Sequence, residues 1–308
     1  MCHHSVRIGI IAMALLSGIT TAQAGNESWV SGTGTDAGTC PRTAPCRTFQ
    51  FAHDQTSNNG AINVLTAGNF GPVTITKPIS IVADGVEAVI NTAANGAAIT
   101  VDAGDGAIIS LRGLTIDLRG TNNIGINFFN GRALHVHNCA IRKGAEGIRF
   151  TPGGNSELYI ADSAIADHTF NGLFVGPSGN TTAVLDRVRT ENNGEIGMRF
   201  QGTAGITVDA TLRDSVSAGN GTIGIVAVHF SASSTIKVMI EGSALLDNST
   251  GVASDADGAV VRIGNSTVTG NNIGLRASGS GVIESYGTNK VDGNNTDVSG
   301  TPTPIDPK

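Results

Sequence analysis

The chain has 308 residues, 42 of them Gly and only 4% aromatic, with 19 Lys and Arg against 25 Asp and Glu. The formal charge of −6 argues against a nucleic-acid partner, which needs a basic surface, but a local Arg cluster could still receive an anionic substrate. Gly without a strict Gly-X-Y period excludes collagen, and its abundance beside Asn, Thr, Ser, Ile and Val fits short strands joined by tight polar turns.

Residues 1–24 read as a secretory signal: Arg7, an apolar run from Ile8 to Ile19, and the small-x-small site Ala22-Gln23-Ala24. Cleavage before Gly25 takes away Arg7 and no acid, leaving 18 basic against 25 acidic side chains and a charge of −7. The run is too short to span a membrane and no later stretch is long enough, so a secreted, periplasmic or outer-surface location is expected. Residues 25–60 are expected to form an N-terminal cap. Cys40 and Cys46 lie in its Pro-containing loop, where export favours pairing, and their spacing is compatible with one small disulfide. A Zn site would need further ligands close by in sequence, and none is present. Thr48 to Gln55 reads as a short helix closing the first coil, although alternating Phe49 and Phe51 also fit a strand.

From residue 61 to 298 the chain is a series of short aliphatic strands. One motif recurs at intervals of 22 to 27 residues: Gly125-Ile126, Gly147-Ile148, Gly172-Leu173, Gly197-Met198, Gly224-Ile225, Gly251-Val252 and Gly274-Leu275. β-type units at this period indicate a solenoid of stacked coils, with Ile148, Met198 and Leu275 in one shared interior. A second strand follows in each unit, closing on Asn138-Cys139, Asp162-Ser163, Asp186-Arg187, Asp214-Ser215, Gly242-Ser243 and Asn265-Ser266. The final residue of each pair is a small stacking position, so Cys139 is expected to be inward-facing, and Arg187 would have to turn outward with a local distortion. Five residues further on come Gly144, His168, Asn192, Asn220, Asn248 and Asn271, with Asn294 next in the series. Asn carries both a donor and an acceptor and tolerates left-handed backbone, so a stacked Asn series is a structural device. Residues 299–308 read as an extended tail.

Two outward groups carry the candidate chemistry. Arg149, Arg199 and Arg276 share one offset behind the Gly-aliphatic pair, two of them roughly 10 Å apart along the stack, a spacing suited to successive anionic groups on a polymer. Their plainer role is as solvated strand residues that discourage edge pairing. The second group is His137, Asp162, Asp186, Arg187 and Arg213. Carboxylates approaching across coils suit acid catalysis or Ca2+ binding, whereas Asx residues at strand ends are also ordinary turn builders. No other cofactor or metal is expected. Neither a Gly-x-Ser-x-Gly elbow nor a phosphate loop is present.

The segment Trp29-Val30-Ser31-Gly32 through Cys46-Arg47-Thr48-Phe49 to Ile62-Asn63-Val64-Leu65, with the Gly-Ile/Leu-x-Phe units and Asn turns, resembles secreted bacterial proteins of the pectin-lyase-like superfamily. The resemblance implies an all-β, single-stranded right-handed parallel β-helix with a short N-terminal helical cap. It carries over no catalytic residue: paired Asp-Asp and Gly-His-Gly are missing, and Asn295-Thr296-Asp297 stands alone at the end of the repeats. The expectation is a carbohydrate-binding or envelope-associated protein. The alternative is a polysaccharide lyase or glycoside hydrolase working on an acidic polysaccharide in a surface groove. A polysaccharide is the expected partner, with self-association through a solenoid end as a second contact.

Overall fold

A computed structural model describes residues 27–91, 96–120, 122–203, 205–229 and 233–306; the expected signal segment lies outside them. The strands form three parallel sheets, here called A with twelve strands and B and C with ten each. Each regular coil runs through C, then A, then B, and returns to C one level along: Glu146–Phe150, Ser156–Ala161 and Ala164–Ala166 make one such turn. The chain is a right-handed parallel β-helix, the hand that parallel crossovers take.

The register explains the repeated apolar residues. In sheet C, Ile126, Ile148, Leu173, Met198, Ile225, Val252 and Leu275 are aligned from coil to coil. In sheet A the aligned series is Val136, Ile160, Leu185, Leu212, Ile240 and Ile263. All of these side chains are buried in one continuous core. Strand alternation sends every second residue inward, and stacking coils remove that inward set from water at about 25 cal/mol per Å2. Phe128 and Phe150 stack with ring centroids 4.7 Å apart.

The first coil is closed by the helix Phe49–Gln55, whose Thr48 hydroxyl accepts from the Phe51 N–H at 3.2 Å as an N-cap. Phe49 and Ala52 face the core, and Phe49 meets Phe70 at 4.9 Å. Cys40 and Cys46 are disulfide-bonded. Their loop folds back on the strand Glu27–Val30, with Cys46 N–H donating to Trp29 carbonyl at 2.8 Å and Trp29 N–H to Cys40 carbonyl at 2.8 Å. That strand pairs with Gly60–Val64 and so belongs to sheet A. At the other end Thr303–Pro304, inside the segment expected as an extended tail, pairs with Val282–Ser285 and adds the twelfth strand.

The corners differ in length. From Ala133–His137 to Ala259–Gly264, two residues join each sheet A strand to its sheet B strand, whereas the passage from C to A takes 2 to 5. At the corner from B to C stands a ladder of buried Asn193, Asn220, Asn248 and Asn271, followed by Asn294. Each carboxamide donates to the next at 2.9 to 3.1 Å, and each Oδ1 also accepts a backbone N–H from the coil before, as in Asn220 N–H to Asn248 Oδ1 at 3.0 Å. The ladder accounts for the repeated Gly: a Cβ on Gly197 would lie 2.8 Å from Asn220 Nδ2 and 2.6 Å from the Gly224 carbonyl oxygen.

The ladder member in its coil is Asn193, not the expected Asn192, which is exposed with a left-handed φ of 54°. The cause is a one-residue offset upstream. Arg187 occupies the left-handed corner position, φ 53°, and Val188 fills the small stacking position. Arg187 therefore reaches solvent with no distortion of the coil, and Asp186 is the last residue of its strand, aligned with Ala161 and Arg213. His168 takes the ladder position one coil earlier. Its Nδ1 accepts from the Gly144 N–H at 3.2 Å and its Nε2 lies 3.2 Å from the Ile141 carbonyl, so the proton sits on Nε2. Burial pushes its pKa down to about 4.

Candidate functional site

At the corner from A to B of the six regular coils, the first of the two linking residues is left-handed: Asn138, Asp162, Arg187, Asp214, Gly242 and Asn265. Asx residues and Gly enter this backbone region at least cost. The second residue is typically Ser, and Ser163, Ser215, Ser243 and Ser266 form a second buried ladder. Each hydroxyl accepts the backbone N–H of the corner before it, as in Val188 to Ser215 and Ser215 to Ser243, both at 3.1 Å. Cys139 shares this row, buried, its thiol pushed up to about 11 by desolvation. An unreactive thiol follows, because the thiolate is the nucleophile.

At this corner left-handed Asp162 and Arg187 meet His137, Asp186 and Arg213, the last residues of their sheet A strands, along one outer edge. His137 Nε2 lies 3.2 Å from Asp162 Oδ2. Arg187 takes the same carboxylate with two nitrogens, at 2.6 and 3.0 Å, and reaches Asp186 with its third at 2.8 Å. Arg213 holds Asp186 bidentately at 2.9 and 3.0 Å. Arg187 thus holds Asp162 below the usual carboxylate range, and Arg213 does the same for Asp186. Each acid in turn raises its arginine. All five residues converge, but their charges are spent on one another: a carboxylate held low by two guanidinium contacts is a poor proton donor and a poor base near neutrality. Asp214 forms no ion pair in this chain of contacts and acts on Arg213 only through its charge. Among the described residues no three His, Cys, Asp or Glu side chains group as a metal site.

The outer face of sheet C is arranged differently. Arg149, Phe174 and Arg199 are aligned on three successive coils. The phenyl ring between the two arginines carries the Arg199 guanidinium 5.5 Å from its centroid. Arg149 Nε donates at 2.7 Å to Glu146, a buried carboxylate that also accepts from Asn171 Nδ2 at 3.2 Å. Arg149 commits Nε there, and its side chain remains 41% exposed. Desolvation lowers the Arg199 pKa, opposed by the charges of Glu195 and Glu146. Arg276 stands apart: buried Val226 and Ala253 fill the row between it and Arg199, and Asp255 holds it at 2.5 Å. The offset that picks out Arg149 and Arg199 also picks out Phe174 in Gly172-Leu173-Phe174. Glu146 and Asn171, just before their Gly residues, carry no comparable sequence signal.

Fold and corner geometry together define a right-handed parallel β-helix. The crystal structure of pectate lyase Pel9A is similar with a TM-score of 0.61 and 16% identity, over 84% of this chain and 74% of that one. A rhamnogalacturonan lyase is similar with a TM-score of 0.56 and 11% identity, over 84% and 75%. At these identities the likeness is one of fold. No protein-family model and no curated protein matches the sequence. Among the described residues no helix is long and apolar enough to cross a membrane.

Proposed function

We propose that this protein is exported and acts on an acidic polysaccharide lying along the outer face of sheet C. The observation that carries the proposal is the aligned trio Arg149, Phe174 and Arg199. A ring flanked by guanidinium groups one coil above and one below suits a sugar face with a carboxylate at its edge. Coils repeat at about 4.8 Å, so the chain of sugars is read along the solenoid axis. Cleavage rests on analogy with the two lyases of similar fold. Elimination needs the uronate carboxylate neutralised and a base at the C5 proton. The two arginines meet the first need. Glu195, exposed and acting electrostatically on Arg199, is our assignment for the second.

The test is incubation of the mature protein with polygalacturonate, rhamnogalacturonan and a neutral glucan, with and without Ca2+, scoring retention and new chain ends. Retention by an acidic polymer is expected to weaken by roughly a hundredfold in Arg149→Ala/Arg199→Ala, since two charge-assisted contacts are lost; because buried Glu146 loses its arginine, a far-ultraviolet spectrum at the assay temperature checks that the variant is folded. Ultraviolet absorbance from unsaturated ends, abolished by Glu195→Gln, supports elimination. Reducing ends without that absorbance indicate hydrolysis, and retention without any product returns the protein to a binding role. Failure to bind any acidic polymer would remove the proposal.

A further inference from the structure

A separate groove of about 510 Å3 runs across the corner between sheets C and A. It crosses five successive coils through Asp105, Arg132, Asn155, Asn180 and Thr207, and every residue lining it is Asp, Glu, Arg, Asn, Ser or Thr. Asn155 Oδ1 accepts from the Asn180 N–H and Asn180 Oδ1 from the Thr207 N–H, both at 2.9 Å. These bonds fix both exposed carboxamides while using only their oxygens, so the two amide nitrogens stand as donors one coil apart. Thr182 and Glu157 add exposed acceptors beside them.

The charge of this groove is opposite in character to that of the sheet C face. Asp105, Glu157 and Asp209 line it against the single guanidinium of Arg132, which lies 3.3 Å from Glu157. Lys237, 3.9 Å from Asp209, offsets part of the excess. A polyuronate is repelled here, whereas an uncharged hydroxyl-rich chain finds donors and acceptors without a like-charge cost. An aromatic platform adjoins the groove. Tyr159, the next outward residue after Glu157 on the strand Ser156–Ala161, is 38% exposed, and His135 supports it edge-on at 6.1 Å.

We infer that this corner is a second saccharide site, for an uncharged glycan that lays one sugar face on Tyr159 and its hydroxyls along Glu157, Thr182, Asn155 and Asn180. The site shares no residue with the sheet C face and stands or falls independently of the acidic-polysaccharide reading. The experiment is calorimetric titration of the full mature protein with cello-, galacto- and malto-oligosaccharides, using wild type, Tyr159→Ala, Thr182→Lys and Arg149→Ala/Arg199→Ala. Expected is binding of at least one series, roughly tenfold weaker in Tyr159→Ala and in Thr182→Lys, as for loss of an anchoring contact, and unchanged in the double Arg variant. Tyr159 and Thr182 are exposed, and a far-ultraviolet melt checks each fold. No binding by wild type, binding undiminished in Tyr159→Ala, or binding lost in the double Arg variant overturns the inference.

Discussion

Two corners of the same coil solve one problem with opposite chemistry. From B to C the chain stacks neutral carboxamides that water does not reach, and each is satisfied by its neighbours above and below. From A to B it stacks charges along an outer edge, where the accessible His137, Asp162, Arg187 and Arg213 and the covered Asp186 neutralise one another. The difference teaches that repetition along a solenoid does not fix what a stacked residue contributes. Burial does, because a lost partner in the dry ladder leaves an unsatisfied polar group, while a lost partner on the wet edge is replaced by water.

Removing a rung tests this most severely. Asn220→Ala strands the Asn193 carboxamide and N–H in the interior, and the expected loss is about 4 kcal/mol in denaturant unfolding. A loss of less than about 1 kcal/mol would put the ladder on a par with the exposed edge.

The next largest effect separates the corners by pH. His168 titrates near 4 when folded and near the ordinary 6.5 when unfolded, so the unfolded chain takes the proton first as pH falls. Its contribution is complete above pH 6.5 and is lost on the way down to about 4, a difference of roughly 3 kcal/mol. His168→Asn restores the repeat residue and should flatten the stability profile between those limits. An unchanged profile would mean that the ladder tolerates a charge.

The smallest effect is on the exposed edge. Arg187→Ala removes contacts to both Asp162 and Asp186, yet accessible Asp162 then turns to water and His137, and buried Asp186 keeps both bonds from Arg213. The melting curve is expected to overlie that of the parent protein at physiological salt. A large drop would show that the charged stack supports the fold as the amide ladder does.

The solenoid itself was legible because Gly followed by an aliphatic residue marks the place where the next coil's carbonyl oxygen, joined from Gly172 onward by the amide ladder, leaves no room for a Cβ. The phase slipped by one residue in the coil holding Asp186. There Val188 replaces the Ser that marks the corner elsewhere, and Asn192 and Asn193 adjoin, so sequence offers two ladder candidates and no landmark. Convergence of the five charged residues was not legible, since it depends on a left-handed residue at the corner that turns side chains of neighbouring coils to one edge. The Arg row was visible by its offset, but the cradle of Glu146 and Asn171 beneath it was not. Those residues gain their role from alignment between coils, which no single unit reveals.

The unequal corner lengths have a consequence for how such a chain diversifies. In the six regular coils the two-residue bend from A to B leaves no slack, so one added residue there would rotate every later side chain in its coil out of phase with the stack. The passage from C to A already absorbs different lengths in neighbouring coils, at the cost of one register shift at Phe128 to Asn130 in sheet C. Foreign loops could be spliced into that seam one coil at a time, giving a single scaffold a variable rim over an unchanging spine.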